Sequence, residues 1–162
     1  QFRRNGVHIN VYSSFGSYNS IRKLDLPIAI HFQKSGDKIF TDRSHRFSIA
    51  WPVICQLATL MGVDTIQTGM IGGYSNDDPD ELLNAINMLR DGNTVPALSC
   101  GFHAGLVDEI TYKIGYDYLA NVGGAIHGHI GGTLSGAKAI RQAIDKNYQN
   151  EYYEAINMEK FK

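Results

Sequence analysis

The chain has 162 residues, of which 43% are hydrophobic and 19% charged, with a formal net charge of −1. That length supports one compact domain with a sizeable core, and the composition argues against a disordered chain. The near-zero charge lacks the positive balance that a nucleic-acid partner demands, and no apolar run approaches the roughly 18 residues of a membrane span. Two cysteines, Cys55 and Cys100, make no disulfide framework, so a reducing, cytoplasmic setting is expected. The opening Gln-Phe-Arg-Arg-Asn-Gly reads as a helix end with its glycine stop. A fragment or processed chain is therefore expected, with residues 1–162 as one unit.

A short apolar run, a Gly-rich or polar turn and a helical stretch then recur in order. Residues 7–11 (VHINV) form the first run and residues 26–31 (LPIAIH) the second. Both suit strands, being too short for helices and rich in β-branched residues. Residues 47–61 have helical period, with Ile49, Val53, Ile54, Leu57 and Leu60 on one apolar face and Gly62 as the stop. Pro52 disfavours a helix interior and points to a later start. Residues 63–67 (VDTIQ) are the third strand.

Asp78-Pro79-Asp80-Glu81 is a strong helix start: Asp78 caps, Pro79 fits the first turn, and the acids suit the positive end of the dipole. Leu82, Leu83, Ile86 and Leu89 give that helix its buried stripe. Residues 95–99 (VPALS) are the fourth strand. Leu106, Ile110 and Ile114 stripe the next helix, which Gly115 ends. Residues 118–122 (YLANV) are the fifth strand, and residues 134–148 form the last long helix, with Ala137, Ile140, Ala143 and Ile144 inward. Alternation of strand and helix predicts a parallel sheet with right-handed crossovers. Length suits a five-stranded doubly wound, flavodoxin-like sheet. A closed (β/α)8 barrel needs at least roughly 200 residues, so this chain would be part of one.

The turns carry the chemistry. Ser99-Cys100-Gly101-Phe102-His103 and Gly123-Gly124-Ala125-Ile126-His127-Gly128-His129 follow the last two strands. Glycine lets a backbone approach a ligand and aim successive N–H groups at one point, and a following helix start favours an anion. Phosphate binding and simple tight turns are both compatible with this spacing. Residues 69–74, with Gly69, Gly72 and Gly73, read either as a mobile lid or as an ordinary connection. They are no Walker loop, because no Lys or Arg lies between Arg46 and Arg90. His31, at the end of the second run, suits an acid, base or substrate donor as well as a structural role. His127 and His129 lack the companions of a metal site, so structural roles are favoured. Cys100 and His103 lie too near in sequence for a usual thiol dyad. Tyr148, Tyr152 and Tyr153 suit packing or a partner surface.

At these turns the sequence resembles the large chain of ribulose bisphosphate carboxylase (RuBisCO), and more closely its RuBisCO-like relatives, from about residue 6 to about residue 148. LPIAIHF is similar to strand five of that barrel, GVDTIQTG to strand six and VPALSCGFH to the Ser-Gly-Gly-x-His segment of strand seven. NVGGAIHGHIGGTLSGAKAIRQAID is similar to strand eight and its helix. GGAIHGH looks like the RuBisCO-like proteins, where carboxylases usually read GGGTLGHP. The resemblance implies a partial (β/α)8 TIM barrel, strands four to eight with their helices.

It also implies roles. His31 matches the strand-five active-site His, Ser99 and Gly101 the strand-seven phosphate positions, and Gly123 and Gly124 those of strand eight. Departures are explicit: the strand-five Arg is Phe32, the strand-six His is Gln67, and the lid has no Lys. Without that Lys, carboxylation loses an electrostatic group worth orders of magnitude. The expected parent is a RuBisCO-like protein, an enolase, isomerase or decarboxylase acting through an enolate on a phosphorylated keto-sugar-type substrate. Its Mg2+ ligands and N-terminal domain are expected upstream, none coming from this chain. A homodimer, or association with the missing part, is expected. The alternative function is a non-catalytic phosphate-binding or assembly module.

Overall fold

The computed structural model describes residues 5–75 and 77–158. Its five strands are β1 (Gly6–Asn10), β2 (Ala29–Gln33), β3 (Thr65–Gly69), β4 (Val95–Leu98) and β5 (Leu119–Ala120). The main helices are α1 (Phe15–Arg22), α2 (Lys38–Thr41), α3 (Trp51–Leu60), α4 (Pro79–Asp91), α5 (Val107–Ile114), α6 (Gly123–His127), α7 (Gly132–Ile144) and α8 (Asn150–Ile156). The parallel strands follow the order β1-β2-β3-β4-β5. This overturns the flavodoxin-like alternative, whose strand order reverses at a switch point. Right-handed crossovers that always advance in one direction put their helices on one face, as in a barrel.

Element edges move for local reasons. β2 begins at Ala29, three residues late, because Pro27 has no N–H to give a ladder. It then runs to Gln33, so His31 is mid-strand rather than at the strand end. β3 begins at Thr65 because the residues before it finish α3. Val63 N–H donates to Ala58 O (3.3 Å) and Gly62 N–H to Thr59 O (2.9 Å), the paired bonds of a Schellman stop.

Two compact units divide the described chain. The first comprises residues 5–69 and 77–97. On one sheet face Ile30, Phe32 and Ile66 pack with Tyr18 of α1, Trp51, Ile54, Cys55 and Ala58 of α3, and Ala85 and Leu89 of α4. Phe32 is fully buried and stacks on Tyr18, ring centroids 4.9 Å apart. α3 starts at Trp51, with Pro52 in its first turn, where a missing N–H costs nothing. Its buried stripe is Trp51, Ile54, Cys55 and Ala58. Of the expected apolar face only Ile54 is buried, while Ile49, Val53, Leu57 and Leu60 are exposed. Both sides of this helix are apolar, so periodicity did not pick the inward one. α4 matches expectation: Asp78 accepts from Asp80 N–H (2.9 Å) and Glu81 N–H (3.1 Å), and Leu82, Ala85, Ile86 and Leu89 are buried. Leu83 is only half-buried.

The second unit comprises residues 70–75 and 98–158. Val107, Ile110 and Ile114 of α5 pack inward, and Leu106 lies in a 3₁₀ turn before the helix. α7 stops at Ile144, four residues early, and buries Gly136, Ala139, Ile140 and Ala143. Ala137 and Ile144, expected inward, are exposed. α8 had no clear sequence signal. It packs on α7, Gln142 of α7 donating to Glu151 (2.8 Å). The three tyrosines pack together: the Tyr148 and Tyr152 rings lie 4.5 Å apart, and Tyr148 Oη donates to Asp108.

Candidate functional site

In the second unit, β4 ends at Leu98 and the chain turns sharply through Cys100 (φ +72°) and Gly101 (φ +118°). The 70–75 segment lies against this turn, Tyr74 N–H donating to Cys100 O (3.1 Å). A β-carbon on Gly73 would lie 2.2 Å from Cys100 O, and one on Gly101 3.2 Å from Gly73 Cα. These two glycines are therefore demanded by backbone-to-backbone packing. A cleft of about 520 Å³ opens beside them, lined by Gly72, Gly73, Tyr74, Cys100, Gly101, His103, Asn121 and Gly124 among others.

Gly123 and Gly124 differ. A β-carbon on either would meet no protein atom within 4 Å. The expected glycine turn before a helix is instead the first turn of α6 itself. The first N–H groups of a helix have no intrahelical acceptor. α6 is only five residues long, so its dipole is small and an anion here would be gripped by N–H groups.

Ser99 is buried, its Oγ 3.6 Å from Cys100 Sγ, and it does not line the cleft. Cys100 and His103 both do, but His103 Nδ1 accepts from Gly105 N–H (3.2 Å) as a turn cap. Burial lowers the His103 pKa. His129 is a buried structural group: its Nε2–H donates to Glu151 O (2.9 Å) and its Nδ1 accepts from Gly131 N–H (2.9 Å). His127 lies 3.3 Å from the Thr133 hydroxyl.

In the first unit, His31 lies on the sheet face opposite the core, with Gln33 on its own strand, His8 and Asn10 of β1, and Thr65 and Gln67 of β3. Its Nδ1 is hydrogen-bonded to the Thr65 hydroxyl. Burial first, and then His8, lower the His31 pKa. Gln67 accepts from Lys34 N–H (3.1 Å). Gly69 closes β3 against the Lys34–Asp77 ion pair, where a β-carbon would meet Asp77 Oδ2 at 2.2 Å. The Lys34 ammonium is buried, 2.7 Å from Asp77, 3.2 Å from Thr68 O and 4.7 Å above the Trp51 ring. Among the described residues, no group of three or more His, Cys, Asp or Glu could hold a metal ion.

Thus Gly72, Gly73, Gly101 and Gly124 line one cleft, Ser99 and Gly123 flank its lining residues in sequence, and His31 and Gly69 belong to the first unit. Tyr74 belongs to the 69–74 segment read as a lid, whereas Asn121 was missed as a lining residue because the fifth strand was expected over residues 118–122. In the structure β5 ends at Ala120, which puts Asn121 directly after the strand.

This fold, with glycine turns after consecutive parallel strands, is that of a barrel segment. Residues 86–160 match the catalytic domain of the ribulose bisphosphate carboxylase large chain. The chain is 36% identical over 128 residues to the ribulose bisphosphate carboxylase of Pyrococcus furiosus, covering 75% of this chain and 30% of that one. It is 34% identical over 127 residues to the 2,3-diketo-5-methylthiopentyl-1-phosphate enolase of Exiguobacterium sibiricum, covering 75% and 31%. Among solved structures, octameric RuBisCO of Pyrococcus horikoshii in complex with sulfate aligns with a TM-score of 0.83 at 26% identity, covering 94% of this chain and 40% of that one. A RuBisCO-like protein of Alicyclobacillus acidocaldarius shares the fold, with a TM-score of 0.80 at 24% identity, covering 97% and 41%. The chain belongs to the RuBisCO large-chain superfamily. It spans about 30% of the length of the curated relatives it matches. Carboxylases and an enolase match at similar identity, so a closer kinship with the RuBisCO-like branch does not follow from overall similarity.

Proposed function

We propose that this chain is the phosphate-binding portion of a barrel whose whole protein acts through an enolate on a phosphorylated keto-sugar-type substrate, as an enolase, isomerase or decarboxylase, and does not fix CO2. The observation that carries the reading is the open Gly123–Gly124 backbone: Gly124 lines the cleft, yet no neighbouring atom requires either residue to lack a side chain. Backbone N–H groups presented this way suit a phosphate, and glycine admits it to close range. Gly101 would complete the lining from the β4 turn, with the buried Ser99 two residues before it in the chain. His31, neutral near pH 7, would serve as an acid, base or hydrogen-bond partner of the substrate.

The position of the family's strand-five Arg supports a different phosphate grip. Phe32 stands there and is a core residue on the helix side of the sheet. The segment 69–77 has no Lys to meet a carboxyl group. Mg2+ takes oxygen ligands, carboxylates above all, and the described residues do not supply such a set. No step is therefore assigned to a metal here, and any Mg2+ site would be built by residues outside this chain. Association with a second copy or with a complementary barrel portion, and a cytoplasmic location, belong to the same proposal.

The test is a pair of assays on the whole protein. Incubation of a 2,3-diketo-alkyl 1-phosphate and of a ketose phosphate in D2O is expected to incorporate deuterium α to a carbonyl. Incubation of ribulose 1,5-bisphosphate with labelled CO2 is expected to give no labelled acid. Labelled acid from the second assay would refute the reading. Tight phosphate binding without deuterium uptake would favour a binding module instead.

A further inference from the structure

His8 and His31 face each other across the parallel β1–β2 pair, in direct register. Their ring centroids are 4.7 Å apart with the planes at 84°. Two imidazoles at this distance cannot both be charged cheaply: like charges about 5 Å apart repel even in water, and more so where burial lowers the effective dielectric. The groups facing His31 are few. β1 supplies His8 and Asn10, β3 supplies Thr65 and Gln67, and β2 itself supplies Gln33. Asp64, beside Thr65, is already paired with Arg22 and accepts Ile30 N–H (2.7 Å). Among the described residues of this unit, no carboxylate on that face offsets a second proton. The Thr65 hydroxyl meanwhile holds one His31 nitrogen, which fixes the ring against His8.

We propose that His8 and His31 act as a pair in which a charge on one ring disfavours a charge on the other, so that His8 adds to the effect of burial on His31. The part of His8 in catalysis rests on the role proposed above for His31, but the coupling does not. His8 is thus a positioning residue acting through electrostatics, and Thr65 one acting through orientation. If His31 protonates or donates to a substrate oxygen, removing His8 raises the pH at which His31 becomes charged, and the acid limb of the pH–rate profile moves to higher pH.

The experiment is an NMR titration of the imidazole Cε1–H signals between pH 4 and 8.5, on the chain with and without His8→Gln. In the unsubstituted chain the two curves are expected to be coupled, each broader than a single-site titration. In the His8→Gln variant the His31 midpoint is expected to rise by about half a pH unit or more, as one repulsive charge at this range implies. Two single-site curves in the unsubstituted chain, or a His31 midpoint that His8→Gln leaves in place, would overturn the proposal. The coupled curves are read without any substitution, so a variant that fails to fold leaves the test intact. An enzyme without enolase activity but with coupled curves would refute the proposed function alone.

Discussion

Glycine serves two purposes in the turns after β4 and β5, and single substitutions separate them. Gly101→Ala forces a β-carbon toward Gly73 at φ +118° and is expected to destabilise the chain by about 1–3 kcal/mol. Gly124→Ala meets no atom and is expected to leave the melting temperature unchanged or raise it slightly, while weakening phosphate binding at least tenfold. Thermal melts with and without inorganic phosphate check both. A large loss of stability in Gly124→Ala would mean that its role is structural. His31 and His103 give a second prediction. Both have pKa values lowered by burial, with His8 adding to the effect on His31. The unfolded chain therefore takes up their protons first as pH falls through about 6.5, and folding stability drops below that pH. Urea melts at pH 7.5 and 5.5 should show a smaller drop in His31→Gln than in the unsubstituted chain; an equal drop contradicts it. The sequence placed the glycines and His31 in turns and strands but did not tell packing glycines from open ones. That distinction depends on residues distant in sequence, such as Gly73 against Cys100.

At the scale of elements, legibility followed the strength of local chemistry. The Asp78 cap and Pro79 fixed the start of α4, where side chain and backbone act within a few residues. Asp78→Ala is expected to cost about 1 kcal/mol, read from the midpoint of a urea melt. α3 was harder, because a helix that is apolar on both sides offers two stripes. α7 also misled: the small residues at Gly136 and Ala139 face inward because α6 approaches closely, a β-carbon on Gly136 lying 2.2 Å from Ile126 O. The Lys34–Asp77 pair was not legible at all, since its partners are 43 residues apart. Both side chains are nearly buried, so Asp77→Ala leaves the Lys34 ammonium with the longer Asp37 contact (3.9 Å) as its carboxylate partner. The expected cost is about 3 kcal/mol, whereas replacing both partners by apolar residues costs less. Equal losses in the single and double variants would contradict a desolvation origin.

For the whole molecule, strand order decides the architecture and exposes its consequence. β1 and β5 terminate the sheet, and unpaired strand edges invite association. Leu60, Ile130 and Leu134 are each more than 70% exposed, and exposed apolar side chains also favour association. Sedimentation of the chain is therefore expected to show self-association, and an ideal 18.0 kDa monomer at high concentration would contradict it. The sequence carried the alternation of strand and helix, but length alone favoured the wrong closure. The ordered family motifs pointed to the barrel, and the unreversed strand order bears that out. A phosphate site in these turns is tested most directly by an amide NMR titration with a ketose phosphate, followed residue by residue. The largest shifts are expected on the amides of Gly101, Gly123 and Gly124. Shifts confined to other residues, or none at millimolar ligand, would contradict a phosphate site built from these turns.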